Sequence, residues 1–315
     1  MFLVCGEALM DVFAVADTAT GMTLDARVGG SPFNVAIGLA RLGQPVSFLS
    51  SVSRGFLGER LLRALAAEGV DTAAVERVDA PTTLSLVGLD ERGVPSYAFY
   101  GEGGADRLLR PAALARMSNA PAAIHVGSFA LVVEPIASTL RTLIERVREH
   151  SLVCYDSNVR LAVEPDRERW REALRLMLSR AHVLKISEED LAVLRPGGAV
   201  SDFLDEALAA GVALCVVTLG ERGAAAATRL ARNEAAATTV QIVDTVGAGD
   251  TFQAALLTRL AECGNLSAAA LAGLDEAGLN DALRFAIAAA AITCSRRGAD
   301  LPRRSELTDA PAISQ

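Results

Sequence analysis

Short apolar runs recur along the chain, and between them apolar residues return every three or four positions. Phe2–Cys5, Val46–Ser50, Ala122–Val126, Leu152–Asp156, His182–Ile186 and Ala213–Thr218 read as buried strands. Helical periodicity covers roughly 32–43, 56–68, 134–150, 167–181 and 201–210. Strands that are apolar throughout and alternate with helices predict a mostly parallel sheet covered on both faces, an α/β/α sandwich. In such a sheet, ligands collect at the carboxyl ends of the strands.

Two segments break the rhythm. Residues 75–104 contain Thr82–Leu89, a turn at Asp90-Glu91-Arg92-Gly93, and Val94–Tyr100, with no helix between. That is a hairpin pattern. Residues 8–28 are also strand-like. Together, about 8–28 and 75–104 are expected to form a small β-lid on a single domain spanning 1–315. The plainer alternative is an ordinary edge hairpin.

Composition narrows the function. With 51% hydrophobic residues the chain can fill a large core, and a net charge of −8 gives no basic face for nucleic acid or an anionic membrane. The one lysine, Lys185, sits in Leu184-Lys185-Ile186, which excludes a Walker A loop. The five cysteines are scattered, odd in number and without a CxxC. They read as thiols of a reducing compartment, and the acidic N-terminus reads as a strand start rather than a signal peptide. A cytoplasmic location is expected. The apolar stretch Phe285–Cys294 is too short to span a bilayer.

The chemistry concentrates in Asp244-Thr245-Val246-Gly247-Ala248-Gly249-Asp250, between a strand-like stretch, Thr239–Val243, and an apolar helical run, Phe252–Leu260. Gly247 and Gly249 permit tight turns. Backbone N–H groups at a helix start, reinforced by its dipole, suit an anion such as a transferring phosphoryl group. Asp250 at the same helix start either caps the helix or accepts a proton from an attacking hydroxyl. The Rossmann fingerprint fails because Phe252 occupies the place of its third glycine. Near the other end, Ser31 and Pro32 read as N-cap and N1 of a helix, with Asn34 in its first turn.

These segments resemble the two signatures of the PfkB or ribokinase-like carbohydrate kinases. The first is Gly29-Gly30-Ser31-Pro32-Phe33-Asn34-Val35-Ala36, and the second is the glycine turn ending at Asp250. The resemblance spans nearly the whole chain and implies the ribokinase-like fold and an ATP-dependent sugar kinase. It makes Asp250 the general base and Gly247, Ala248 and Gly249 the anion hole. Asp11, Gly30 and Asn34 would hold the sugar. Asp11 falls in Gly6-Glu7-Ala8-Leu9-Met10-Asp11, which looks like a fructokinase N-terminus. Asp156-Ser157-Asn158-Val159-Arg160 and Tyr97-Ala98-Phe99-Tyr100 resemble fructokinases and 2-keto-3-deoxygluconate kinases, which adds Arg160 and Phe99 to the sugar site. Thr218, Gly220 and Gly223 resemble the ATP-contacting loop. Ala291–Gly298 would flank the adenine. Asp244 and the Val246 carbonyl would hold a monovalent cation, K+, while Mg2+ would arrive with ATP.

The family's Asn-x-x-Glu motif is replaced by Ser187-Glu188-Glu189-Asp190. Gly101 stands where an arginine often meets a sugar acid's carboxylate, which favours a neutral sugar, fructose first. Ketodeoxygluconate kinase, nucleoside kinase and a non-catalytic sensor are the alternatives, and a homodimer through the lid is a further expectation.

Overall fold

The computed structural model describes residues 1–89, 95–117 and 120–307. Strand β1 (Phe2–Cys5) pairs in parallel with β4 (Val46–Leu49) on one side and β9 (Ala123–Gly127) on the other. Beyond β9 the parallel set continues through β10 (Leu152–Asp156), β11 (Val183–Ser187) and β12 (Leu214–Thr218). Antiparallel β13 (Ala224–Ala227) and β14 (Arg232–Ala235) complete an eight-stranded sheet, β14-β13-β12-β11-β10-β9-β1-β4. Chain order reverses beside β1, which opens a crevice at the carboxyl ends of β1, β9 and β10.

Both faces are covered. Phe2, Val4, Leu152, Cys154, Val183 and Val216 pack under α1 (Ser31–Arg41), α2 (Phe56–Ala67), α7 (Ala248–Glu262) and α9 (Glu276–Cys294). The alternate residues Leu3, Ile124, Val153, Leu184 and Val217 pack under α3 (Ile136–Val147), α4 (Arg167–Leu178), α5 (Glu188–Leu194) and α6 (Val200–Ala209). The period of two along each strand places neighbours on opposite faces, so both must be apolar.

Three local expectations change. Thr239–Val243 is not a strand. Its β-branched residues run over the surface with Ile242 and Val243 exposed, and Val243 N–H donates to the Cys294 carbonyl at 2.8 Å. With no strand among the described residues beside it to complete a ladder, β-propensity is not realised. The β13–β14 hairpin arises instead from an alanine run that local propensity disfavours. Helix α9, which follows the short α8 (Ala268–Ala272), begins well before the apolar stretch Phe285–Cys294. Among the described residues it is the helix long and apolar enough for a bilayer, yet it packs on α7, β13 and β14.

A second sheet has the order β3-β2-β7-β8, made of β3 (Gly21–Gly29), β2 (Leu9–Thr18), β7 (Leu84–Leu89) and β8 (Pro95–Tyr100). Residues 76–78, expected in the same layer, form β6 (Glu76–Val78) and pair with β5 (Ser51–Ser53). The expected turn Asp90-Glu91-Arg92-Gly93 lies outside the described residues.

Candidate active site

Gly247 caps α7 in the left-handed region, with φ of 79°. A Cβ there would come within 2.6 Å of the Ala299 methyl, so this position is closed to other residues by conformation and by space. Among the described residues the N–H groups of Gly247, Gly249 and Asp250 have no backbone acceptor. The Ala248 N–H differs from expectation: it donates to the Thr245 carbonyl at 3.2 Å and serves the turn.

Asp250 lies in the first turn of α7 and is buried. Helices α1 and α7 pack together, which joins the two distant sequence motifs. Ser31 Oγ donates to Asp250 Oδ1 at 2.6 Å, and Asn34 Nδ2 donates to Oδ2 at 2.8 Å. The expected capping role of Ser31 is therefore overturned. Gly30, with φ of 106°, is the N-cap, and the Ser31 hydroxyl makes a charge-assisted bond instead. Burial raises the Asp250 pKa and the Asp156 carboxylate adds to the rise, while the Ser31 and Asn34 bonds and Arg160 oppose it.

Asp250 opens into a cleft of about 510 Å³. Asp11, Gly30, Asn34, Phe99, Arg160, Gly247 and Gly249 line the same cleft, so these sequence-selected residues come together. Asp11 covers Gly29, where a Cβ would meet its Oδ2 at 2.0 Å. Burial lifts the Asp11 carboxyl to about 6, with the Asp250 charge adding to the rise and Ser85 and Arg160 opposing it. Glu189 reaches this cleft. Asp190 turns to structural work: its N–H donates to Ser187 Oγ at 3.0 Å, and its Oδ2 accepts from Ser157 Oγ at 3.1 Å.

Thr218, Gly220 and Gly223 are not part of the cleft wall. They form a tight turn after β12, with Gly223 pressed on β14, where a Cβ would meet the Ala235 carbonyl oxygen at 2.0 Å. Asp244 accepts from Val246 N–H at 3.0 Å and from Gly298 N–H at 2.8 Å, bracing two loops. Among the described residues no cluster of three or more His, Cys, Asp or Glu side chains suits a metal ion.

In the sequence Lys185 excludes a P-loop, and the fold gives it a second role. The structure pairs its buried ammonium, in the middle of β11, with Asp156 Oδ2 at the end of neighbouring β10, at 2.7 Å. The same Nζ lies 3.5 Å from where a Gly249 Cβ would stand. A lysine inside an apolar strand run was the available signal, since a buried charge needs a partner.

A buried carboxylate beside bare amides at a helix start, over a polar cleft, defines a phosphotransferase acting on a small hydroxylated substrate. Residues 1–306 match the pfkB family carbohydrate kinases, and the chain belongs to that family. It is 33% identical to a fructokinase of Rhizobium leguminosarum bv. trifolii, covering 98% of this chain and 92% of that one. It is 34% identical to probable fructokinase-4 of Arabidopsis thaliana, covering 96% and 94%. Its fold matches a fructokinase with bound ATP from Xylella fastidiosa, with a TM-score of 0.86, 29% identity and coverage of 97% and 96%. It also matches a fructokinase from Vibrio cholerae O395 in a fructose, ADP and calcium ion bound form, with a TM-score of 0.81, 27% identity and coverage of 97% of each chain. The chain is a carbohydrate kinase with the ribokinase fold.

Proposed function

We propose that this kinase transfers the γ-phosphoryl group of ATP to a hydroxyl of fructose. The carrying observation is the Asp250 carboxylate, fixed by Ser31 and Asn34 beside the free Gly247 and Gly249 amides and facing a cleft. Asp250 accepts the proton of the attacking hydroxyl as the new O–P bond forms and the bond to the ADP oxygen breaks. The Gly247, Gly249 and Asp250 amides receive charge on the transferring oxygens. Asp11, Gly30, Asn34, Phe99 and Arg160 orient the sugar. The Thr218–Gly223 turn takes the nucleotide.

Mg2+ bound to ATP would supply charge neutralisation at the phosphates, with Glu189 the carboxylate nearest to hand on the cleft wall. A K+ ion fits the Asp244–Val246 turn less directly. Both Asp244 oxygens already accept backbone N–H groups, so carbonyls such as that of Val246 would have to supply its ligands. The second sheet, with Asp11 and Phe99 on the cleft wall, acts as a lid of one continuous kinase domain. Exposed Val15, Met22 and Leu24 on its strands support a homodimer through it. The buried free thiols Cys5, Cys154 and Cys215 support a reducing, cytoplasmic setting.

Fructose is favoured over a sugar acid because Gly101 is buried against Thr83 and Arg107, and Arg107 is not part of the cleft wall. ADP release measured with ATP over fructose, 2-keto-3-deoxygluconate, ribose and adenosine tests this assignment. Highest kcat/KM on fructose is expected, and turnover of a nucleoside but not of fructose would reject it.

A further inference from the structure

Three buried polar atoms of residues on the cleft wall have no hydrogen-bond partner among the described residues: Glu7 Oε2, Ser128 Oγ and Asn158 Nδ2. They come from neighbouring places in the sheet. Glu7 follows β1, Ser128 follows β9 and Asn158 follows β10, and these strands are adjacent. Unsatisfied buried polar atoms are rare and costly, so three converging on one cavity call for a ligand.

The backbone gives a second, independent sign. Among the described residues only two that are not glycine have positive φ, Ser128 at 52° and Asn158 at 37°. Serine is uncommon in this region and pays strain there, whereas asparagine tolerates it better, and such strain gathers where a side chain must be aimed. Both residues line the cleft, and the Ser128 Oγ and Asn158 Nδ2 atoms have no hydrogen-bond partner among the described residues.

We propose that Glu7, Ser128 and Asn158 form the floor that recognises the sugar hydroxyls not held by Asp250, Asn34 and Asp11. These contacts, rather than the transfer centre, then set which sugar is accepted. The assignment rests on the sugar-kinase reading of the cleft and deepens it. The donor and acceptor supply matches a polyol. Ser128 Oγ both donates and accepts, and Asn158 Nδ2 donates. Burial lifts the Glu7 carboxyl to about 8; the neighbouring Ser128 hydroxyl and Arg160 oppose the rise and Asp106 adds to it, although Ser128 Oγ lies outside good hydrogen-bond geometry to the carboxyl and so stays open to a ligand. Near neutrality Glu7 therefore keeps its proton and offers both an O–H and an acceptor oxygen.

Ser128→Gly and Asn158→Gly remove the side chain at positions where glycine is at ease, so relief of strain should leave unfolding stability equal or higher. Glu7→Leu removes the carboxyl at similar bulk. Each is expected to raise KM and the calorimetric Kd for fructose about tenfold. The change should be much smaller in kcat and in KM for ATP, and discrimination of fructose from its epimers tagatose and psicose should narrow. Unchanged fructose affinity in both glycine variants would overturn the proposal and leave these atoms as holders of ordered water. Loss of stability with unchanged affinity would do the same. Calorimetry separates the two readings. Fructose binding by the wild type without ADP release would overturn the kinase assignment, while weaker binding by the variants would still support the floor.

Discussion

Replacing Asp250 by asparagine is a nearly pure removal of a base. The carboxylate accepts two hydrogen bonds, from a hydroxyl at 2.6 Å and from an amide at 2.8 Å. Asparagine can keep both. Its carbonyl oxygen faces Asn34 Nδ2, and its new NH2 faces Ser31 Oγ, which rotates from donor to acceptor. What disappears is the charge that strengthened both bonds, together with the cost of burying that charge. These oppose each other, so stability should move by no more than about 1 kcal/mol. Turnover should behave differently, because neither asparagine atom can take the sugar proton. Loss of a general base costs about 10²–10⁴ in rate, or ~2.7–5.4 kcal/mol of barrier. The assay is coupled ADP release under saturating fructose and ATP, with fructose binding read by calorimetry and folding by thermal unfolding. Binding and folding should survive. Turnover within tenfold of wild type would refute the assignment of Asp250 as base.

Two further changes probe the surroundings of that carboxylate. Ser31→Ala removes a donor to the ionised form, so the Asp250 pKa rises further and the acidic limb of kcat/KM moves to higher pH, by about one to two pH units from ~1.5–3 kcal/mol. Below the limb the base is protonated and activity falls, so an unmoved limb in the pH–rate profile would contradict the coupling. Lys185→Met strands the Asp156 carboxylate in the interior and should cost about 3–5 kcal/mol in denaturant unfolding. Adding Asp156→Leu should restore most of that loss, and failure to do so would show that the pair is not the unit of stability.

The layered fold was legible because it depends on local and repetitive features. Buried parallel strands must be apolar on both faces and helices must repeat every 3.6 residues, and both patterns survive in a single sequence. The glycines of the α7 start were legible for a similar reason, since Gly247 answers a local left-handed φ. Propensity misled where pairing partners decide the outcome: among the described residues Thr239–Val243 found no neighbouring strand, and the alanine run of β13 did. Contacts between distant segments were hidden altogether. Nothing near Ser31 shows that its hydroxyl will meet Asp250 instead of capping its own helix. Glu7, Ser128 and Asn158 become a group only once β1, β9 and β10 lie side by side. Sequence by itself thus determined the parallel strands with the helices between them, their layering and the turn that gathers bare amides, because backbone geometry and hydrophobic period are properties of neighbours in the chain. Tertiary packing alone decided which polar side chains are buried, which carboxylates share a cleft and which are left without partners, because those depend on groups that meet only after folding.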